Sequence, residues 1–173
     1  MKTKKEILLL SLLMVPLVVL AGCGKKTTED KLPDKLIIEP LVGIGPVSFG
    51  MSKDEVMEHF GQPDRVFEGK VTKLNYVPSR GLSFAVDTEL GMNEIGCWSD
   101  GMLPSRITTF AGRTKEGIGI GATQEEIVDA YGKPDRTTTG SRALVENLHY
   151  DKLQAKFTLK EGRLMSMILN APK

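Results

Sequence analysis

The sequence predicts an α+β fold made of two tandem units, each a short helix packed on a three-stranded antiparallel sheet. Three observations carry that expectation. Val47 to Arg65 (VSFGMSKDEVMEHFGQPDR) recurs 71 positions later as Ile118 to Arg136 (IGIGATQEEIVDAYGKPDR), and Gly50, Glu55, Gly61, Pro63, Asp64 and Arg65 return as Gly121, Glu126, Gly132, Pro134, Asp135 and Arg136. Each copy carries both the start and the stop signal of a helix. Each is followed by segments in which apolar and polar residues alternate with the period of a strand.

Residues 1–22 read as a signal peptide and stand outside the fold. Lys2, Lys4 and Lys5 begin it, Ile7 to Leu20 is an apolar run of 14 residues, and Leu20-Ala21-Gly22-Cys23 follows. A spanning helix needs roughly 20 apolar residues, so the run is short, and Pro16 interrupts it. The pattern resembles a bacterial lipoprotein signal with its lipobox. That resemblance implies diacylglyceryl attachment at Cys23, cleavage before it, and a mature chain held on a membrane by acyl chains. The implied location is the cell envelope, with the chain lipid-anchored. It would face the periplasm from the outer membrane in a Gram-negative cell, and lie on the outer face of the cell membrane otherwise.

Residues 23–40 form the lipidated N-terminus and a tether, polar and interrupted by Pro33 and Pro40, although Leu36-Ile37-Ile38 also fits a first strand. The first unit covers 41–112 and the second 113–173. Ser52-Lys53-Asp54-Glu55 and Thr123-Gln124-Glu125-Glu126 are capping boxes, and Val56, Met57 and Phe60, matched by Ile127, Val128 and Tyr131, give each helix one apolar face. Gly61 and Gly132 permit a left-handed cap, and Pro63 and Pro134 forbid continuation. The strands of the second unit are expected around Leu148 and Tyr150, over Leu153 to Leu159, and, after a turn at Lys160 to Arg163, over Leu164 to Leu169. Those of the first are expected around Leu74 and Tyr76, over Leu82 to Val86, and over Ile107 to Phe110. On this alignment the first unit holds an insertion at 87–104, rich in Leu90, Met92, Ile95, Cys97, Trp98, Met102 and Leu103. It reads either as an extra hairpin over a sheet edge or the seam, or as a contact arm. The arm would present Trp98, Met92 and Ile95 to a partner, with Trp98, the chain's one tryptophan, as anchor.

Charge excludes some classes of function. Loss of Lys2, Lys4, Lys5 and Glu6 with the signal reduces 23 basic and 22 acidic residues to 20 and 21. A near-neutral mature chain does not suit nucleic-acid binding, which needs clustered Lys and Arg. Cys97 is left without an intrachain partner, so the fold must rest on its apolar core.

No catalytic residues, metal site or cofactor are expected. The two histidines are His59, replaced by Ala130 in the second copy, and His149 on a strand, and no nucleophile, base and orienter are placed together. Gly43-Ile44-Gly45 and Gly117 to Gly121 precede capped helices, but no Walker lysine follows them. Arg65 and Arg136 are candidate anion contacts, two equivalent guanidiniums for carboxylates or phosphates. The plainer alternative has Asp64 and Asp135 accepting turn amides while each arginine lies over the sheet edge. Cys97 is a reactive thiol, an intermolecular disulfide site or a small buried apolar residue.

The lipobox, then Gly-Met-Ser-x-x-Glu-Val with Phe-Gly-x-Pro-Asp after the helix, then Leu-x-Tyr and an apolar strand, resembles the SmpA/BamE-like lipoprotein superfamily. Two such units in tandem are similar to the β-lactamase-inhibitor-protein-like fold. The resemblance spans residues 45 to 170 and implies a non-catalytic envelope module that binds another protein. A protein partner in the envelope, attachment to the membrane through the N-terminal lipid, and no nucleic acid or metal are therefore expected. The competing functions are binding of a small ligand or cell-wall fragment, and inhibition of a secreted enzyme.

Overall fold

The computed structural model describes residues 36–140 and 144–173. The expected signal peptide, Cys23 and most of the expected tether lie outside the described residues. The first half runs through β1 (Ile37–Glu39), β2 (Gly43–Ile44), β3 (Val47–Ser48), α1 (Lys53–Phe60), β4 (Arg65–Phe67), β5 (Val71–Tyr76), α2 (Val77–Arg80), β6 (Leu82–Asp87) and β7 (Gly91–Trp98). The second runs through β8 (Arg113–Thr114), α3 (Gln124–Tyr131), β9 (Arg136–Thr139), β10 (Val145–Tyr150), a 3-10 turn (Asp151–Leu153), β11 (Ala155–Lys160) and β12 (Arg163–Asn170). The protein is thus an α+β fold dominated by sheet.

Eight strands form one antiparallel sheet in the order β4-β5-β6-β7-β12-β11-β10-β9. The order is a palindrome: each half contributes helix, outer strand and three further strands, and the halves meet at β7 against β12. That seam pairs Trp98 with Ser166, Cys97 with Met167, Gly96 with Ile168, Ile95 with Leu169 and Glu94 with Asn170. A smaller sheet, β3-β2-β1-β8, ties the halves a second time, because β1 pairs in parallel with β8. Ile38 is fully buried there, so the tether ends before β1 rather than at Pro40.

Both long helices form where their caps were spelled out. The Glu55 amide donates to Ser52 Oγ at 3.3 Å and the Ser52 amide to the Glu55 carboxylate at 2.8 Å. Thr123 and Glu126 repeat the exchange at 3.2 and 2.7 Å. After each helix, Gly61 (φ 73°, ψ −167°) and Gly132 (φ 79°, ψ −169°) take positive φ as expected, but with extended ψ. The left-handed cap is therefore replaced by a conformation open essentially to glycine alone.

The strand assignment needs three corrections. Each half has four strands in the sheet, not three, because Arg65–Phe67 and Arg136–Thr139 add outer strands. The third expected strand of the first half, Ile107 to Phe110, is not a strand; Gly91–Trp98 takes that place. The 87–104 stretch is consequently no insertion into the sheet. Asp87 accepts from the amides of Glu89 and Leu90, which closes the β6–β7 turn, and the extra residues of the first half fall after β7, on the way to β8.

Each helix packs on its sheet half through three aromatic rings. Phe60, Tyr76 and Phe84 sit with centroids 4.9 to 6.0 Å apart, and Tyr131, Tyr150 and Phe157 5.6 to 5.9 Å apart. Such contacts add to the stabilisation from burial itself. Buried Ile38, Ile44, Val47, Phe110 and Ile118 join the same core.

Candidate functional site

Strand geometry sends alternate residues to opposite faces, and in this sheet the two faces have different fates. Leu74, Tyr76, Phe84, Ile95, Cys97, Met167, Leu169, Phe157, Leu148 and Tyr150 point to the helices and are buried. The neighbours one residue away form the opposite face. Cross-strand pairing arranges one row of them as Arg65, Asn75, Ser83, Gly96, Ile168, Lys156, His149 and Arg136, one from each strand. Beside it run Phe67, Lys73, Ala85, Glu94 and Asn170 on one flank, and Trp98, Ser166, Thr158, Asn147 and Thr138 on the other. Asn75, Ser83, Glu94, Trp98, Ile168, Lys156 and His149 are half-buried, while Arg65, Lys73, Asn170 and Arg136 are exposed.

Trp98 lies on this open face over Gly96, where an added Cβ would stand 2.9 Å from the indole nitrogen. Its Nε1 donates to Ser83 Oγ at 3.2 Å. One polar atom is thus satisfied while the ring keeps partial access to solvent, which suits a contact anchor. Met92 and Ile95 do not share that position. Both are 0% exposed in the core, so their assignment as partner contacts is corrected. Cys97 is also fully buried, and burial pushes its thiol far above the ordinary range, against reactivity.

The two recurrent arginines occupy the same face at its opposite edges. Seven inter-strand steps of ~4.8 Å separate them by roughly 34 Å, so they are not one clamp. Arg136 donates to His149 Nδ1 at 3.3 Å. Since a guanidinium cannot accept, Nε2 carries the imidazole proton and donates to Thr138 Oγ1 at 3.1 Å. Burial, then Arg136 and Lys156, lower the pKa of His149, which favours the neutral ring that this pair of contacts requires. The recurrent aspartates have a structural duty. Asp64 accepts from the amide and hydroxyl of Ser79 at 3.1 and 2.7 Å, and Asp135 from the amide of Asp151 at 2.7 Å. Each pins the short helical turn between its second and third sheet strands, not the post-helix turn. His59 is exposed on α1.

A depression of about 480 Å³ opens across β7, β12, β11 and β10, with Glu94, His149, Lys156, Ile168, Asn170 and Lys173 among its lining residues. Among the described residues, no group of three or more His, Cys, Asp or Glu stands close enough to hold a metal ion. The sequence pattern points to Trp98, Arg65 and Arg136 on this face but does not mark Asn75, Ser83, Lys156, His149 and Ile168 as a surface. Their signal was parity: each neighbours a residue of the apolar alternation.

No family model and no curated protein matches the sequence. Among solved structures, the crystal structure of a DUF4309 family protein (YjgB) from Bacillus subtilis subsp. subtilis str. 168 is similar, with 16% identity, a TM-score of 0.45, and coverage of 70% of this chain and 78% of that one.

Proposed function

We propose that this chain is a lipid-anchored protein of the bacterial cell envelope that binds another protein, without catalysis, through the open face of its eight-stranded sheet. The observation that carries the proposal is the one-sidedness of the sheet. Both long helices pack on one face, and the other carries a half-buried tryptophan among hydrogen-bonding and charged side chains. Aromatic anchors within a polar rim are the usual composition of protein-binding surfaces. The palindromic succession of helix and strands is in keeping with two tandem units of the SmpA/BamE-like and β-lactamase-inhibitor-protein-like kind, and inhibition of a secreted enzyme would be one form of the same binding. A photo-crosslinking residue at Ile168 should capture a polypeptide in intact envelopes, whereas the same residue at Glu58 on the helix side should not. Equal capture from both positions, or none from Ile168, would refute binding through this face.

Anchoring rests on Cys23. Cys23→Ser should shift the protein from the membrane fraction to the soluble fraction, and unchanged membrane retention would count against lipidation. The depression beside Lys156 and Asn170 favours a second reading, a small ligand or cell-wall fragment held on the same face. Crosslinking from Ile168 to glycan alone would select it.

A further inference from the structure

The charge of the molecule is divided between its two sides. On the open face the strand cations Arg65, Lys73, Lys156 and Arg136, with Lys173 beside the depression, are opposed by Glu94 and Asp151, since the Asp87 carboxylate at the strand end is taken up by the Glu89 and Leu90 amides. On the other side α1 and α3 carry Asp54, Glu55, Glu58, Glu125, Glu126 and Asp129, with Lys53 already paired to Glu68 and with Arg113 and Arg163 beside Glu126, so the acids of the helices outnumber the cations around them. The ion pairs among the described residues are Lys53–Glu68 and Lys115–Glu39, so none of the open-face cations is neutralised by one. A mature chain close to neutral therefore presents a cationic sheet and anionic helices.

Two of these cations flank His149 at one end of the face. Lys156, His149 and Arg136 lie side by side on β11, β10 and β9, with Thr138 and the depression next to them. We infer that the partner presents an acidic polypeptide segment to this face and that its carboxylates seat along Lys156, His149 and Arg136. The inference rests on the protein-binding reading and names the chemistry of the partner. Charge complementarity selects the occupant: an acidic segment is drawn to the sheet and repelled by the helices, which fixes the side of approach. The cations stand on separate strands along a line instead of meeting at a point, and half-buried Ile168 and Trp98 interrupt them with apolar surface. An extended chain with mixed acidic and apolar side chains matches that spacing better than a single phosphate does. The chain's own tether is a poor occupant, because residues 24–35 hold four lysines against three acidic residues.

His149 supplies the readout, with Arg136, Lys156, Thr138 and Asp151 as the groups around it. The mature chain is titrated with an oligo-glutamate peptide of about ten residues while the His149 ring protons are followed by NMR. Bound carboxylates should raise the His149 pKa and should compete with added salt. Lys156→Gln and Arg136→Gln should each weaken binding by about tenfold or more, Lys156→Arg should restore it, and Glu58→Gln should leave it unchanged. Thermal unfolding of each variant checks that the fold is kept. The inference is overturned if oligo-glutamate leaves His149 unmoved, or if inorganic phosphate or vesicles containing phosphatidylglycerol bind as tightly as the peptide. If crosslinking from Ile168 recovers a protein partner whose capture is indifferent to Lys156→Gln and to salt, the acidic segment is refuted while the protein-binding face stands.

Discussion

Tyr76 and Tyr150 show how single residues hold each half together. Each phenol donates to the carbonyl of the glycine that ends the preceding helix, Gly61 at 2.6 Å and Gly132 at 2.9 Å, so the Leu-x-Tyr motif and the Gly-x-Pro-Asp motif are two ends of one contact. Burial pushes Tyr76 up to about 12 from an ordinary value of 10.0, and it also raises Tyr131 and Tyr150. These are all the tyrosines of the chain. A group whose pKa is raised by folding adds stability that is whole below its unfolded pKa and is lost as pH climbs toward the folded one. Stability should therefore hold up to about pH 10 and fall as pH rises from there toward 12. Absorbance at the phenolate band should show no separate ionisation of a native tyrosine near pH 10. Independent titration of the phenols there, with the far-UV spectrum intact, would contradict this packing.

At the scale of elements, the helices and the strands were legible to different degrees. A capping box is a contact between residues three apart, and a helix stop is written in its own glycine and proline, so α1 and α3 could be read directly. Ser52→Ala and Thr123→Ala should each destabilise the protein by about 1 kcal/mol in urea unfolding, and a combined loss near the sum would show the helices to be independent. The strands were harder for a physical reason. A bulge between Ala85 and Val86 shifts the β6–β7 register so that Met92 and Ile95, three residues apart, both point to the core. Thr158 and Leu159 carry the same shift against β12. Strict alternation fails where a bulge adds a residue, so the sequence of β7 reads as an excursion with outward apolar side chains although it is a central strand. The outer strands β4 and β9 escaped notice because they bury no side chain.

For the whole molecule, the seam between β7 and β12 makes the halves one cooperative body. Met167 and Cys97 face each other across it, and both belong to a core that continues from Ile38 to Leu169. Met167→Ala should cost about 2–5 kcal/mol. The emission of Trp98, which stands in the other half, should report the same displaced midpoint as far-UV circular dichroism. A Trp98 transition left in place while the circular dichroism moves would mean that the halves unfold separately.

The duplicated segment, the two capped helices and the hairpin at Glu161-Gly162 were determined by the sequence itself, because each depends on residues near one another in the chain. Pairing of β7 with β12, burial of Met92 and Ile95, and the gathering of Arg65, Trp98, Lys156, His149 and Arg136 on one uncovered face were decided only in the tertiary structure. A strand's alternation says that it has two faces. Which face the helices cover, and which strand lies alongside, depends on burial among segments tens of residues apart.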